Sequence, residues 1–99
     1  MAVVFVTIAP LGTGTPSVSQ YVAGVERILR GTKLTHQLTA MGTIVEGDLD
    51  EILAVIREMH EHPFTQGAVR VSTLIKIDDR RDKEHTIAGK MRSVEEKLE

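Results

Sequence analysis

Residues 2–9 read Ala2-Val3-Val4-Phe5-Val6-Thr7-Ile8-Ala9. β-Branched, aromatic and apolar side chains fill both alternating sets of positions. A strand with two apolar faces is a strand covered on both sides. One cover is supplied by the chain's own helices. The other has to come from somewhere else, and that need shapes the rest of the reading.

Downstream, Pro10 to Pro16 holds two Gly and two Pro, which is loop chemistry. Pro16 suits the first turn of a helix, with Thr15 or Ser17 as its cap. Val18, Tyr21, Val22, Val25, Ile28 and Leu29 then recur at helical spacing, and Gly31 stops the run. The expected helix covers 17–30. Residues 33–39 alternate, with Leu34, His36 and Leu38 against Thr35, Gln37 and Thr39. Residues 43–46 form a second short strand, so 33–46 reads as a β-hairpin turning at Ala40-Met41-Gly42. Asp48, with Glu51 three residues on, opens a second helix carrying Leu49, Ile52, Leu53, Ile56 and Met59. His62-Pro63 is its expected end. Residues 68–78 alternate again, with Val69, Val71, Thr73, Ile75 and Ile77 on one face and Arg70, Ser72, Leu74 and Lys76 on the other. A last helical segment over 83–98 carries a narrow seam of Ile87, Met91, Val94 and Leu98, with Asp82 available as its cap.

The order β-α-β-β-α-β followed by an extra helix specifies an α+β, ferredoxin-like sandwich: an antiparallel sheet with two helices on one face. The first strand lies mid-sheet in that topology, as its two-sided apolar character requires. With 99 residues the expectation is one domain over 1–99. The uncovered sheet face and the narrow seam of the last helix both call for self-association. A homodimer uses one of them and a homotetramer uses both.

Composition removes several classes of function. Hydrophobic residues are 41%, charged residues 26%, and the net charge is −2, which excludes a strongly basic nucleic-acid binder. Aromatics are 3% and Trp is absent, so no stacking platform for single strands can be built. Without cysteine there are no disulfides, thiolate metal sites or thiol catalysis. No apolar run is long enough to span a membrane, and no charged start precedes the first one. The simplest expectation is a soluble cytoplasmic protein with no nucleic-acid or membrane partner.

Candidate chemistry is sparse. His60 and His62 lie two apart and point to opposite sides of a helix, which does not suit a metal and reads as a solvated helix end. The mixed run Asp78 to Glu84 reads as a solvated linker with internal ion pairs. The loop from Leu11 to Ser17, with Gly12 and Gly14, feeds a helix N-terminus. It is either a turn plus cap or a weak anion contact, and it lacks the Gly-Lys-Ser/Thr ending of a P-loop. Glu46 closes an apolar strand and is either a ligand anchor or an edge residue in water. Arg70, read as mid-strand, contacts a ligand or pairs with a carboxylate such as Glu46 at an interface. No Gly-x-Ser-x-Gly elbow and no paired acid and base mark an enzyme, and no cofactor or metal is expected.

Taken together, VFVTIAPLGTGTPSVSQYV at the start, TAMGTIVEGDLDEI in the middle and RVSTLIKIDDRRDK with KMRSV at the end resemble the small thiamine-binding-protein family. The resemblance covers nearly the whole chain. Its most specific parts are Met41-Gly42-Thr43 with Glu46-Gly47, and Arg70 with Lys76 to Arg81. Family members often carry Pro where this chain has Ala40. The resemblance implies a ferredoxin-like fold, homodimers or homotetramers built through sheet faces and the C-terminal helix, and non-catalytic binding of thiamine or its hydroxymethylpyrimidine moiety. An aminopyrimidine needs a carboxylate and hydroxyls, and a cationic thiazolium favours a Met or aromatic wall. The residue types therefore nominate Thr7, Thr43, Glu46 and Ser72 as polar contacts, and Met41 with Phe5 as the wall. Arg70, Gly12 and Ser19 are candidates for interface or anion contacts. The alternative is a regulatory or structural oligomer that acts through a protein partner.

Overall fold

The computed structural model describes residues 1–14 and 18–99. Strand β1 (Ala2–Pro10) is followed by helix α1 (Ser19–Arg30), the hairpin β2 (Thr35–Leu38) and β3 (Thr43–Gly47), and helix α2 (Leu49–Thr65). Strand β4 (Val71–Asp79) and helix α3 (Ile87–Leu98) complete the chain. The four strands form one sheet in the order β2-β3-β1-β4, with every neighbouring pair antiparallel. This is the ferredoxin-like α+β arrangement with a C-terminal helix, and β1 occupies an interior position.

Register sorts the side chains of β1 by face. Val4 lies between Val45 and Ile77, and Val6 between Thr43 and Ile75. These residues face α1 and α2. The core formed there comprises Ala2, Val4, Val6, Val25, Leu29, Val45, Ile52, Ile56 and Met59. The opposite set, Val3, Phe5 and Thr7, shares its face with Ile44, Glu46, Leu74 and Lys76. Neither α1 nor α2 covers that face, and Leu74 on it is 60% exposed.

Several boundaries differ from the sequence expectation, each for a local reason. Helix α1 starts at Ser19 with Val18 at its cap position and no side-chain cap bond; the proposed caps Thr15 and Ser17, and Pro16, lie outside the described residues. Helix α2 runs through Pro63 to Thr65. Pro63 is buried there, and its fixed φ is already helical. The two histidines near it are partly covered and engaged. His60 Nδ1 lies 2.6 Å from Thr73 Oγ1, and His62 packs on Gly24, where an added Cβ would overlap its ring. Strand β4 begins at Val71 rather than residue 68, since Ala68 still belongs to the turn that closes α2, through Ala68 N–H to the Pro63 carbonyl at 3.1 Å. Helix α3 starts at Ile87, and its cap is Thr86, whose hydroxyl accepts from Gly89 N–H at 2.9 Å. Asp82 is instead engaged by Arg80 at 2.6 Å.

Leu29 is fully buried where α1 meets the sheet. Leu29→Ala is expected to lower stability by about 2–5 kcal/mol. Chemical denaturation of the variant beside the parent chain checks this.

Candidate functional site

The strand ends nearest the 39–42 turn carry the most enclosed feature of the molecule. Thr39 fixes the turn: its hydroxyl donates to the Gly42 carbonyl at 2.7 Å and accepts from Gly42 N–H at 3.2 Å. Gly42 is required there by close approach, because an added Cβ would stand 2.5 Å from Phe5 Cζ and 2.8 Å from Thr7 Cγ2. The turn is thereby pulled over the end of β1. A cleft of about 220 Å³ opens between it and the start of α1. Val6, Ile8, Val18, Val22 and Val25 give it apolar walls, and Thr7, Met41 and Thr43 lie on its lining. Thr43 is buried, whereas Met41 is 81% exposed at the rim.

Three of the nominated ligand residues, Thr7, Met41 and Thr43, are therefore gathered in one place. Ser19 lies next door, on a groove of about 650 Å³ between α1 and the edge strand β2. That groove shares Val18, Val22 and Leu38 with the cleft. Phe5 does not wall the cleft; it supports the turn from the other side of the sheet.

The remaining candidates stand elsewhere. Ser72 pairs with Ala9 on the uncovered sheet face and is exposed. Gly12 and Arg70 belong to adjoining loops, joined through Leu11 N–H to the Arg70 carbonyl at 2.8 Å. Arg70 precedes β4 instead of sitting within it, at the end of the sheet away from Glu46, so the suggested Arg70–Glu46 pair does not form.

Glu46 has a different partner. Its Oε2 accepts from Ile87 N–H at 2.8 Å, at the first turn of α3, where the helix dipole favours a carboxylate. Asp78 holds the same helix from β4, on the other side of β1. Lys90 Nζ lies 2.6 Å and His85 Nε2 3.2 Å from its Oδ2. The Lys90 ammonium, then His85, hold the Asp78 carboxyl below its ordinary value of 3.8. These polar contacts fix the start of α3, which buries none of its own residues. Among the described residues no group of three His, Asp or Glu is placed to hold a metal ion.

Sequence reasoning missed Glu26, which is 9% exposed and lies on the groove. Two signals pointed to it. Glu26 interrupts the apolar stripe of α1 between Val22 and Leu29, and His36 interrupts the apolar side of β2 between Leu34 and Leu38. The two are partners, with His36 Nε2 3.1 Å from Glu26 Oε1.

The compact cleft at the strand ends of this open-faced sandwich is a concavity of the kind that small molecules occupy. Residues 4–95 match the model of the thiamine-binding protein family, and the chain belongs to that family. It is 52% identical to the UPF0045 protein YqgV of Bacillus subtilis, across 100% of this chain and 99% of that one. The structure of a hypothetical protein from Methanocaldococcus jannaschii superposes with a TM-score of 0.87 at 41% identity, over 96% of each chain. A candidate thiamine biosynthesis/salvage protein from Thermotoga maritima shares the fold, with a TM-score of 0.76 at 19% identity, over 94% of this chain and 97% of that one.

Two outcomes are expected from this geometry. Glu46→Ala should loosen α3 by about 1 kcal/mol, the worth of one such hydrogen bond, read as faster amide exchange at residues 87–90. Because folding lowers the Asp78 pKa, its contribution to holding α3 is complete above about pH 4 and is lost as pH falls through the lowered value. Following α3 amide signals across that range, with Asp78→Asn as the variant lacking the transition, checks the sign.

Proposed function

We propose that this chain binds thiamine or its hydroxymethylpyrimidine moiety without turning it over, as a homo-oligomer, with the cleft at the 39–42 turn as part of the site. Family membership over residues 4–95 is the observation that carries the choice of ligand. The cleft supports it. At about 220 Å³ it lies below the roughly 300–1,000 Å³ typical of sites for drug-sized ligands, so it suits one small ring. Apolar walls with the Thr43 side chain and the Met41 thioether fit a thiazolium, whose delocalised charge favours a soft polarizable neighbour. The rest of a two-ring ligand passes Val18 and Val22 into the adjoining groove. The cleft lining offers no titratable acid and base within it, which favours holding the ligand over converting it.

The homo-oligomer follows from the uncovered sheet face. Leu74 stands in water, and Val3, Phe5 and Ile44 around it are only partly covered. Met91, Val94 and Leu98 add a second apolar strip along α3, at 57%, 55% and 80% exposure. A second copy of the same face is the occupant that matches both sides at once.

Calorimetric titration of the purified protein with thiamine and with hydroxymethylpyrimidine tests the ligand. Saturable binding at one site per chain is expected, and Thr43→Val should weaken it by about 3- to 10-fold, the loss of one neutral hydrogen bond. No heat with either compound on the folded protein contradicts the reading. For the assembly, sedimentation should give a dimer or tetramer that Leu74→Lys breaks, and a monomeric mass for the parent chain contradicts it.

A further inference from the structure

Glu26 lies within the apolar stripe of α1, yet its two carboxylate oxygens are used unequally. Oε1 lies 3.1 Å from His36 Nε2 and 3.5 Å from Arg30 Nε. Oε2 is buried and has no hydrogen-bond partner among the described residues. His36 cannot turn to serve both oxygens, because its Nδ1 is held at 3.1 Å from the Leu34 carbonyl. Arg30 extends mostly into water, its side chain 74% exposed. An unmet buried carboxylate oxygen costs free energy, so packing alone gives no reason to keep it.

Its position supplies one. Glu26 lines the groove between α1 and β2, beside Val18, Val22, Ala23 and Leu38. The groove is apolar along these four residues and polar where Glu26 stands with Arg27 and Arg30; a carboxylate beside apolar walls suits a flat ring that carries N–H donors on one edge. The terminal torsion of a Glu side chain is soft. Turning the carboxylate about its last bond brings Oε2 to the groove and swings Oε1 with it, so a donor edge that engages Oε2 also loosens the Oε1–His36 contact. We infer that Glu26 anchors the donor edge of an amidine-like or amino-heteroaromatic ligand in this groove. Because groove and cleft share Val18, Val22 and Leu38, a two-ring ligand occupies both, with its aminopyrimidine edge on Glu26. The ligand's identity rests on the binding reading above. The anchor stands on the unmet oxygen and the groove.

The test uses three proteins, the parent chain, Glu26→Met and Ala23→Leu, and three probes, benzamidine, hydroxymethylpyrimidine and thiamine. Each pair is titrated by calorimetry, and each protein's thermal midpoint is recorded without ligand. The parent chain is expected to bind benzamidine. Glu26→Met should weaken that binding by about 10- to 100-fold, the loss of a charge-assisted hydrogen bond, while its midpoint stays level or rises. Should Glu26→Met fail to fold, Ala23→Leu decides: it fills the groove from an exposed position and should abolish benzamidine binding in a stable protein. No benzamidine binding to the parent chain overturns the inference, and so does equal binding to the variants. Thiamine binding indifferent to Glu26 overturns the anchor and leaves the family reading in place. Benzamidine binding that requires Glu26, without thiamine binding, upholds the anchor and removes thiamine.

Discussion

One constraint organises this molecule: a central strand that is apolar on both faces. Val4 and Val6 are buried beneath α1 and α2, and they fix the core. Val3 and Phe5 point the other way, Val3 between Glu46 and Asp78 and Phe5 between Ile44 and Lys76, where neither α1 nor α2 lies. Burying an apolar side chain is worth about 1.5–3 kcal/mol, so a face of this kind is strongly driven to find a cover. The position of β1 and the open face are two consequences of one eight-residue run.

The polar residues near that strand do structural work at one end of the sheet and leave room for a ligand at the other. Glu46 and Asp78 hold the start of α3, which has no buried side chain to hold it by packing. At the opposite end, Gly42 lets the hairpin turn close over Phe5 and Thr7, and the cleft is the space left beneath it. The only buried carboxylate oxygen without a hydrogen bond among the described residues belongs to Glu26, on the groove beside that cleft.

Much of this was legible from the residues. The β-branched run at 2–9, the stripes of α1 and α2 and the alternation of β4 gave the element order, because period and composition agreed at each of them. Thr7, Met41 and Thr43 come together because the hairpin register brings the turn to the end of β1. Glu46 was misread because its partner is a backbone amide 41 residues away, and no local pattern announces such a contact. Arg70 was misread because Ala68 still belongs to the turn after α2, which delays β4 to Val71. Pro63 suggested a helix end on local grounds, while its burial lets the helix run on. Glu26 was overlooked although it broke an apolar stripe; a charge in such a stripe is a signal that counting hydrophobic positions discards.

The central claim is that the binding site lies where the 39–42 turn meets the start of α1, and not on the sheet face or along α3. Mapping amide chemical-shift changes on adding thiamine tests it most directly. Changes concentrated at Thr7, Val18 to Glu26 and Leu38 to Thr43 are the result the account predicts. Changes confined to the β4 face or to α3, or none at saturating ligand, would contradict it.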